Sequence, residues 1–258
     1  MEILTFVLVG LFAGLSAGLF GIGGGLITVP AMFFLLPIFH SDVSHLMLTA
    51  VATSLAAIVP TAIMSSYGHY KKNAILWPVV LKITPKIFIG AALGAIIAMA
   101  ATQNVLKTFF AIFLLLVALN MFREAIKDRV EEFRIQSINS FVTAAIGAVS
   151  SVMGVGGGTM TVPYLTGKGM NIHNAIACSA VLGVPIALSG SVILYLSHLW
   201  ENNAGEGYIH FPALFGITLA SIVIAPYGAK LAHYLPVKTL KKIFSLLLMI
   251  IGLKILIG

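Results

Sequence analysis

GIGGGLITVP, residues 21–30, and GVGGGTMTVP, residues 154–163, are two versions of one decapeptide. They lie 133 residues apart and are identical at seven of ten positions. The correspondence continues in order beyond them: Thr49, Thr53, Ser54 and Pro60 match Asn174, Cys178, Ser179 and Pro185, while Pro78 and Gly94 match Pro212 and Gly228. Ordered matching over both halves of the chain indicates an internal duplication.

The composition is that of a membrane protein. Of the 258 residues, 59% are apolar and only 9% are charged, whereas an ordinary soluble domain has about 25% charged residues. Such a chain cannot cover itself with a charged surface, which excludes a soluble enzyme, a nucleic-acid binder and a disordered regulator. We therefore predict an all-α polytopic membrane protein embedded in the lipid bilayer.

Each half contains five apolar segments. In the first half they are Ile3–Phe20, Leu26–Phe39, His45–Tyr67, Ile87–Ala101 and Val105–Phe122. In the second half they are Ser137–Met153, Thr159–Thr166, Asn174–Leu199, Tyr208–Ala229 and Thr239–Ile257. The only charge-dense stretch lies between the halves. We predict a first transmembrane repeat over residues 1–122, a charged cytoplasmic linker over 123–136 and a second repeat over 137–258.

The lysines and arginines predict the orientation of the chain. With an outer N-terminus and an odd number of crossings per half, 13 of the 15 basic residues face the cytoplasm, and only Lys107 and Lys254 do not. An odd number of crossings also makes the two halves inverted relative to each other. Inverted repeats are common in secondary transporters of the cell membrane.

The glycine motifs predict a helix–GGG–short helix hairpin in each half. The apolar segments after the glycines have 14 and 8 residues, fewer than the roughly 20 that a spanning helix needs, so full crossing stays open. A helix that begins at membrane depth presents free N–H groups and a positive dipole end, which favour an anion. In inverted halves the two tips are expected to meet near the midplane.

The candidate substrate-binding residues follow from these hairpins. The backbone donors are Gly23, Gly24, Gly25, Gly156, Gly157 and Gly158, and the residues at the starts of the short helices are Thr28 and Thr161. Ser54 and Ser179 are expected to line the cavity. The alternative is that glycine only permits tight helix packing, as the GxxxG series at Gly10–Gly18 indicates. For the polar residues of the third segments, the alternative is hydrogen bonding between helices.

The sequence lacks the residues that several kinds of chemistry require. No Asp or Glu lies within an apolar segment, which argues against paired-carboxylate catalysis and against a carboxylate cation site. The seven histidines show no HExxH-type spacing, so neither a metal site nor a cofactor is expected. By elimination, a site built of glycine N–H groups and hydroxyls points to an anionic substrate.

The same motifs, together with ATSLAAIVPTA (Ala52–Ala62), Met170–Ile193 and APYGAKLAHYLPVKTLKKIF (Ala225–Phe244), resemble the TauE/SafE sulfite exporter family. The resemblance covers essentially the whole chain. It implies a bacterial or archaeal cytoplasmic-membrane transporter of sulfite, thiosulfate, a sulfonate such as sulfoacetate, or another small sulfur-containing anion. It also places functional weight on the two glycine motifs. Cys178 departs from the expected pattern, since a hydroxyl or small residue is expected opposite Thr53.

We therefore predict a secondary transporter of a small sulfur-containing anion that works by alternating access. The coupling ion, proton or sodium, is open. The oligomeric state is open too, with the GxxxG faces at Gly10–Gly18 and Gly90–Gly94 as candidate surfaces for a homodimer. One alternative is a carrier of a carboxylate or a metal-related ion. Other classes are an accessory membrane protein or an intramembrane enzyme, although the nearest protease-like match, Ala187–Gly190, lacks the first glycine of GxSG.

Overall fold

The computed structural model describes residues 1–40, 45–124, 135, 138–197, 208–232, 234 and 237–257. Within these residues the chain forms helices and no strands, which confirms the all-α fold. The helices are α1 (Glu2–Phe20), α2 (Gly25–Phe39), α3 (Leu46–Tyr70), α4 (Trp77–Ala100), α5 (Gln103–Glu124), α6 (Ser140–Val152), α7 (Gly158–Gly167), α8 (Ile172–Leu196), α9 (Phe211–Leu231) and α10 (Val237–Ile257). Most of the predicted linker lies outside the described residues.

Six of the described helices are long and apolar enough to cross a membrane, namely α1, α3, α4, α5, α8 and α9. Large apolar side chains such as Leu93, Leu219 and Val223 are exposed on their outer faces, as expected for a surface in contact with lipid. Helices α3 and α8 are the most buried, so they form the centre of the bundle. The hairpin helices α2 and α7 fall below spanning length, as the segment lengths predict. Helix α6 is also short, with 13 residues, which the sequence does not predict.

Helix α4 begins ten residues earlier than predicted, at Trp77 rather than Ile87. Lys82 and Lys86 interrupt the apolar pattern, which is why the sequence prediction began the segment too late. Their ammonium groups reach backbone oxygens, with Lys82 Nζ 2.8 Å from the Ile135 carbonyl and Lys86 Nζ 2.9 Å from the Lys82 carbonyl. Long basic side chains can thus lie on an apolar helix while their charged ends reach polar atoms.

The glycine-rich faces pack within the chain. A Cβ atom at Gly10, Gly14 or Gly18 would collide with the backbone of α9, and one at Gly90 or Gly94 would collide with the backbone of α6. These GxxxG faces are therefore not free to join two chains, because helices of the same chain already cover them. The alternative of close helix packing is correct for these positions.

The hairpin of each half packs on a helix of the other half. Along α1 and α9, Gly10 lies opposite Ile217 and Gly18 opposite Ala225, so these two helices run parallel. Helix α6 packs in the same way on α4. Each hairpin is thus held by the half to which it does not belong.

The central pair of helices runs antiparallel. A Cβ atom at Gly190 would lie 2.8 Å from Leu55 Cδ1, and one at Gly183 would lie 3.5 Å from Ala62 Cβ. Residue numbers therefore rise along α3 as they fall along α8. Because the duplication matches α3 with α8, their opposite directions are those that an inverted repeat requires. Which end faces the cytoplasm stays a prediction from the basic residues.

Candidate functional site

The two glycine tips are in direct contact at the centre of the bundle. A Cβ atom at Gly23 would lie 3.2 Å from Gly156 Cα, and one at Gly158 would lie 2.7 Å from Ile22 Cα. All six predicted glycines, Gly23, Gly24, Gly25, Gly156, Gly157 and Gly158, are buried. The structure thus brings together the two motifs that the sequence places 133 residues apart.

The two tips differ in whether their backbone conformation requires glycine. Gly23 and Gly24 have φ angles of 76° and 84°, which side chains rarely adopt. In the second tip, Gly157 has an ordinary φ of −57°. A Cβ atom at Gly157 would lie 3.2 Å from Ile186 Cδ1 and 3.3 Å from Thr161 Oγ1. At position 157 an added Cβ therefore keeps an ordinary backbone angle and meets the ends of two side chains, which must shift slightly, rather than backbone atoms.

Ser54 and Ser179 hold the tips from opposite halves. The Ser54 hydroxyl donates to the Gly154 carbonyl at 2.7 Å, and the Ser179 hydroxyl donates to the Gly21 carbonyl at 3.0 Å. Both serines are fully buried. Both lie beside the tips, and each hydroxyl proton is used on a backbone carbonyl. That they line a substrate cavity stays a prediction.

Further donors take the carbonyls at the end of α1. Ser65 Oγ donates to the Ala17 carbonyl at 3.1 Å, and His69 Nε2 lies 3.1 Å from the Gly18 carbonyl. Ser65 belongs to none of the sequence motifs described above. Its spacing of four from His69 places both on one face of α3, and this was the available signal. The carbonyl oxygens around the first tip are thus largely occupied.

The amide groups at the tips differ from the carbonyl groups in their surroundings. The first N–H groups of any helix lack partners within the helix, and α2 and α7 both begin at the tips. The positive dipole ends of two helices therefore converge at one place. Among the described residues the acidic ones are Glu2 and Glu124, which lie at helix ends far along the chain from the tips.

Buried hydroxyls without hydrogen-bond partners cluster at the second tip. Among the described side chains they include Ser150, Ser151, Thr159 and Thr161. The Ser150 carbonyl accepts from Val155 N at 2.9 Å, which places this serine at the base of the tip. The duplication matches the first three with Ala17, Gly18 and Leu26, which have no hydroxyl. Unpaired hydroxyls are therefore a property of the second tip.

The two predicted threonines differ accordingly. Thr28 Oγ1 donates to the Gly24 carbonyl at 3.2 Å, within its own helix. Thr161 occupies the matching position in α7 and is 1% exposed, yet its hydroxyl has no partner. An unpaired buried hydroxyl costs free energy unless something else satisfies it.

Cys178 and Thr53 have the same structural role, each in its own half of the chain. The Leu76 amide donates to Cys178 Sγ at 3.3 Å, and the His210 amide donates to Thr53 Oγ1 at 2.9 Å. Leu76 and His210 are the residues that precede α4 and α9. The sulfur thus accepts the bond that a hydroxyl accepts in the other half. This supports the interpretation of Cys178 as a residue that bonds neighbouring helices.

Comparison with known proteins gives one consistent result. Residues 6–255 match the protein family described as sulfite exporter TauE/SafE. A probable membrane transporter protein of Haemophilus influenzae is 38% identical, over 97% of this chain and 97% of the relative. A probable membrane transporter protein of Methanocaldococcus jannaschii is 27% identical, over 97% of this chain and 94% of the relative. No solved structure matches the chain.

Proposed function

Because the chain belongs to the TauE/SafE sulfite exporter family and is a membrane transporter, we propose that it carries a small sulfur-containing anion. Sulfite, thiosulfate and organosulfonates are the substrates in question. The chain is a multi-pass protein of a bacterial or archaeal cell membrane. We place the anion at the paired glycine tips and assign movement of the substrate to alternating access.

The observation that carries this proposal is the imbalance of hydrogen-bond donors and acceptors at the tips. Carbonyl oxygens, which attract cations, already accept from Ser54, Ser179 and Ser65. Unpaired hydroxyls, which can donate to an anion, lie near the second tip, and the amides at a helix start lack partners within the helix and attract anions. A site rich in donors and without a carboxylate favours a negatively charged ligand over a cation.

The donor geometry suits a sulfur oxyanion. Sulfite, thiosulfate and sulfonates each present oxygens that point in three directions from one sulfur atom. Two helix starts and the unpaired hydroxyls of Thr159 and Thr161 offer several separate donors near the tips, whereas a planar carboxylate is typically held by an arginine fork. We therefore favour a sulfur anion over a carboxylate, which remains the alternative substrate.

The packing of the hairpins suggests how the site becomes accessible. The tips are pressed against each other, so an anion between them requires their separation. Because α1 packs on α9 and α6 packs on α4, each hairpin is expected to move with a helix of the other half. Such rigid-body rocking of inverted repeats gives access first from one side and then from the other. A coupling proton or sodium ion and a homodimer stay predictions.

We further propose that the chain transports without catalysis. Ser189, the nearest match to an intramembrane protease serine, donates its hydroxyl to the Phe88 carbonyl at 3.1 Å. A nucleophilic serine instead needs a neighbouring base such as histidine. The bond to Phe88 supports a packing role for this serine between α8 and α4.

Flux in proteoliposomes tests the proposal. Labelled sulfite, thiosulfate and sulfoacetate are each supplied to wild type, Gly157→Leu and Gly167→Leu, with acetate as a competing carboxylate. Gly167 lies on the same short helix and has no atom within 4 Å of its Cβ position, so Gly167→Leu is the matched control. We expect saturable flux that Gly157→Leu abolishes and Gly167→Leu retains.

Two results of this experiment would contradict the proposal in different ways. Normal flux by Gly157→Leu would move the site away from the tips. Folded wild-type protein that carries none of the three sulfur anions would remove the sulfur assignment and leave a transporter of another substrate.

A further inference from the structure

We propose that Glu2, His40 and His210 form a binding site for a divalent transition-metal ion. Glu2 is the first residue of α1, His40 directly follows α2, and His210 directly precedes α9. The three residues meet at the end of the bundle that is predicted to face outward, and none of them belongs to the glycine tips. The proposal is independent of the substrate, and it departs from the expectation, based on sequence spacing, that the chain has no metal site.

The distances among the three ligand atoms fit one ion. Glu2 Oε1 lies 3.2 Å from His40 Nε2 and 3.5 Å from His210 Nε2, and the two Nε2 atoms are 3.3 Å apart. Ligands bound tetrahedrally to Zn²⁺ with bonds of about 2.1 Å are themselves about 3.4 Å apart. A single ion above this triangle therefore contacts all three atoms and keeps its fourth position for water.

The ligand types narrow the choice of ion. Two imidazoles and one carboxylate form a ligand set that proteins use for Zn²⁺ and related ions. Mg²⁺ and Ca²⁺ prefer oxygen ligands, and among the described residues this cluster offers them a single carboxylate. The His40, Glu2 and His210 side chains are 45%, 23% and 18% exposed, so an ion from solution reaches them.

Hydrogen bonding alone explains the cluster less well than metal coordination does. Charged imidazole–carboxylate bonds are typically about 2.7–2.9 Å long, and the two imidazole–carboxylate separations here, 3.2 and 3.5 Å, are longer. His210 Nδ1 also lies 3.3 Å from the Ala213 amide. Coordination through Nε2 puts the ring proton on Nδ1 and gives up this long contact, at a cost of about tenfold in affinity or less.

The position of the ion gives it a mechanical effect. It would tie both outer ends of the first hairpin to the start of α9. The His210 amide is bonded in turn to Thr53 on α3, so the ion would link four helices. The second half has no counterpart, because Ile135 and Leu76 occupy the positions that match Glu2 and His210. We therefore expect the ion to brace one end of the transporter only.

Zinc binding to the purified full-length chain, without any histidine tag, tests the site. Titration calorimetry with ZnCl₂ is expected to give one ion per chain. Loss of a direct ligand in Glu2→Gln, His40→Ala or His210→Asn should weaken binding by at least about 100-fold. The asparagine keeps a side chain that can cap α9, so the third variant is expected to remain folded.

His45→Ala is the matched control. His45 lies at the same end of the bundle, and its ring contacts Tyr208 at 5.5 Å between centroids rather than the cluster. Binding of Co²⁺ supplies a second readout, since its visible absorption reports the coordination number. One saturable site that all three ligand variants weaken and His45→Ala retains supports the proposal. Any other pattern overturns it and leaves a hydrogen-bonded cluster.

Discussion

Thr161→Val separates the role of this hydroxyl in folding from its role in binding. Valine keeps the shape of threonine and replaces the hydroxyl by a methyl group. The Thr161 side chain is buried and its hydroxyl has no partner, so the substrate-free protein loses no hydrogen bond. If the hydroxyl instead serves an anion, the substitution removes a bond only when the anion is present.

The structure predicts that Thr161→Val raises the free energy of unfolding and lowers the affinity for sulfite. A buried hydroxyl without a partner costs roughly 1–3 kcal/mol, so we expect Thr161→Val to raise the free energy of unfolding by about 1 kcal/mol. For a chain of this size, that raises Tm by roughly 2 °C. A hydrogen bond to a charged group contributes about 1.5–3 kcal/mol, so sulfite affinity should fall roughly 10- to 150-fold.

Thermal unfolding with and without sulfite, together with concentration-dependent flux, measures both effects. Two variants provide the comparison. Thr166→Val removes a hydroxyl that is bonded to the Val162 carbonyl on the same helix at 2.9 Å, and it should leave sulfite affinity unchanged. Thr28→Val removes a bond to the Gly24 carbonyl and should lower rather than raise stability. A less stable Thr161→Val with unchanged sulfite affinity would refute the reasoning.

Three further substitutions test the packing. Ser54→Ala leaves the buried Gly154 carbonyl unpaired, and the free energy of unfolding should fall by about 1–3 kcal/mol in chemical denaturation. Cys178→Ser keeps an acceptor for the Leu76 amide and should retain stability and flux, whereas a loss of both would assign the sulfur another role. Gly90→Leu collides with α6, so it should unfold the single chain; a folded variant with only altered oligomeric state would contradict the intrachain contact.

Local features of the fold could be predicted from the sequence. The apolar segments, the hairpins and the duplication each depend on patterns within a few tens of residues or on direct self-similarity. The start of α4 was missed because a hydropathy window counts Lys82 and Lys86 as polar, although their charges reach backbone oxygens. Side-chain length, which a window does not weigh, decides this case.

Contacts between distant segments could be predicted only where the internal duplication indicated them. The contact between the glycine tips followed from two inverted copies. The packing of α1 on α9 did not, because a small-residue face is equally suited to another chain. The cluster of Glu2, His40 and His210 has neither motif spacing nor a duplicated copy, so nothing in the sequence indicated it. That Ser54 and Ser179 line a cavity stays a prediction, whereas their bonds to backbone carbonyls are visible only in the structure.

The packing of α1 on α9 also has a consequence for synthesis in the cell. About 190 residues separate the end of α1 from the start of α9. At a translation rate of about 5–20 residues per second, the first hairpin waits roughly 10–40 s in the membrane before its partner is made. During that time its small-residue face and glycine tip lack their final neighbours. Pausing synthesis before α9 should therefore leave the first hairpin open to proteases or to an insertion chaperone.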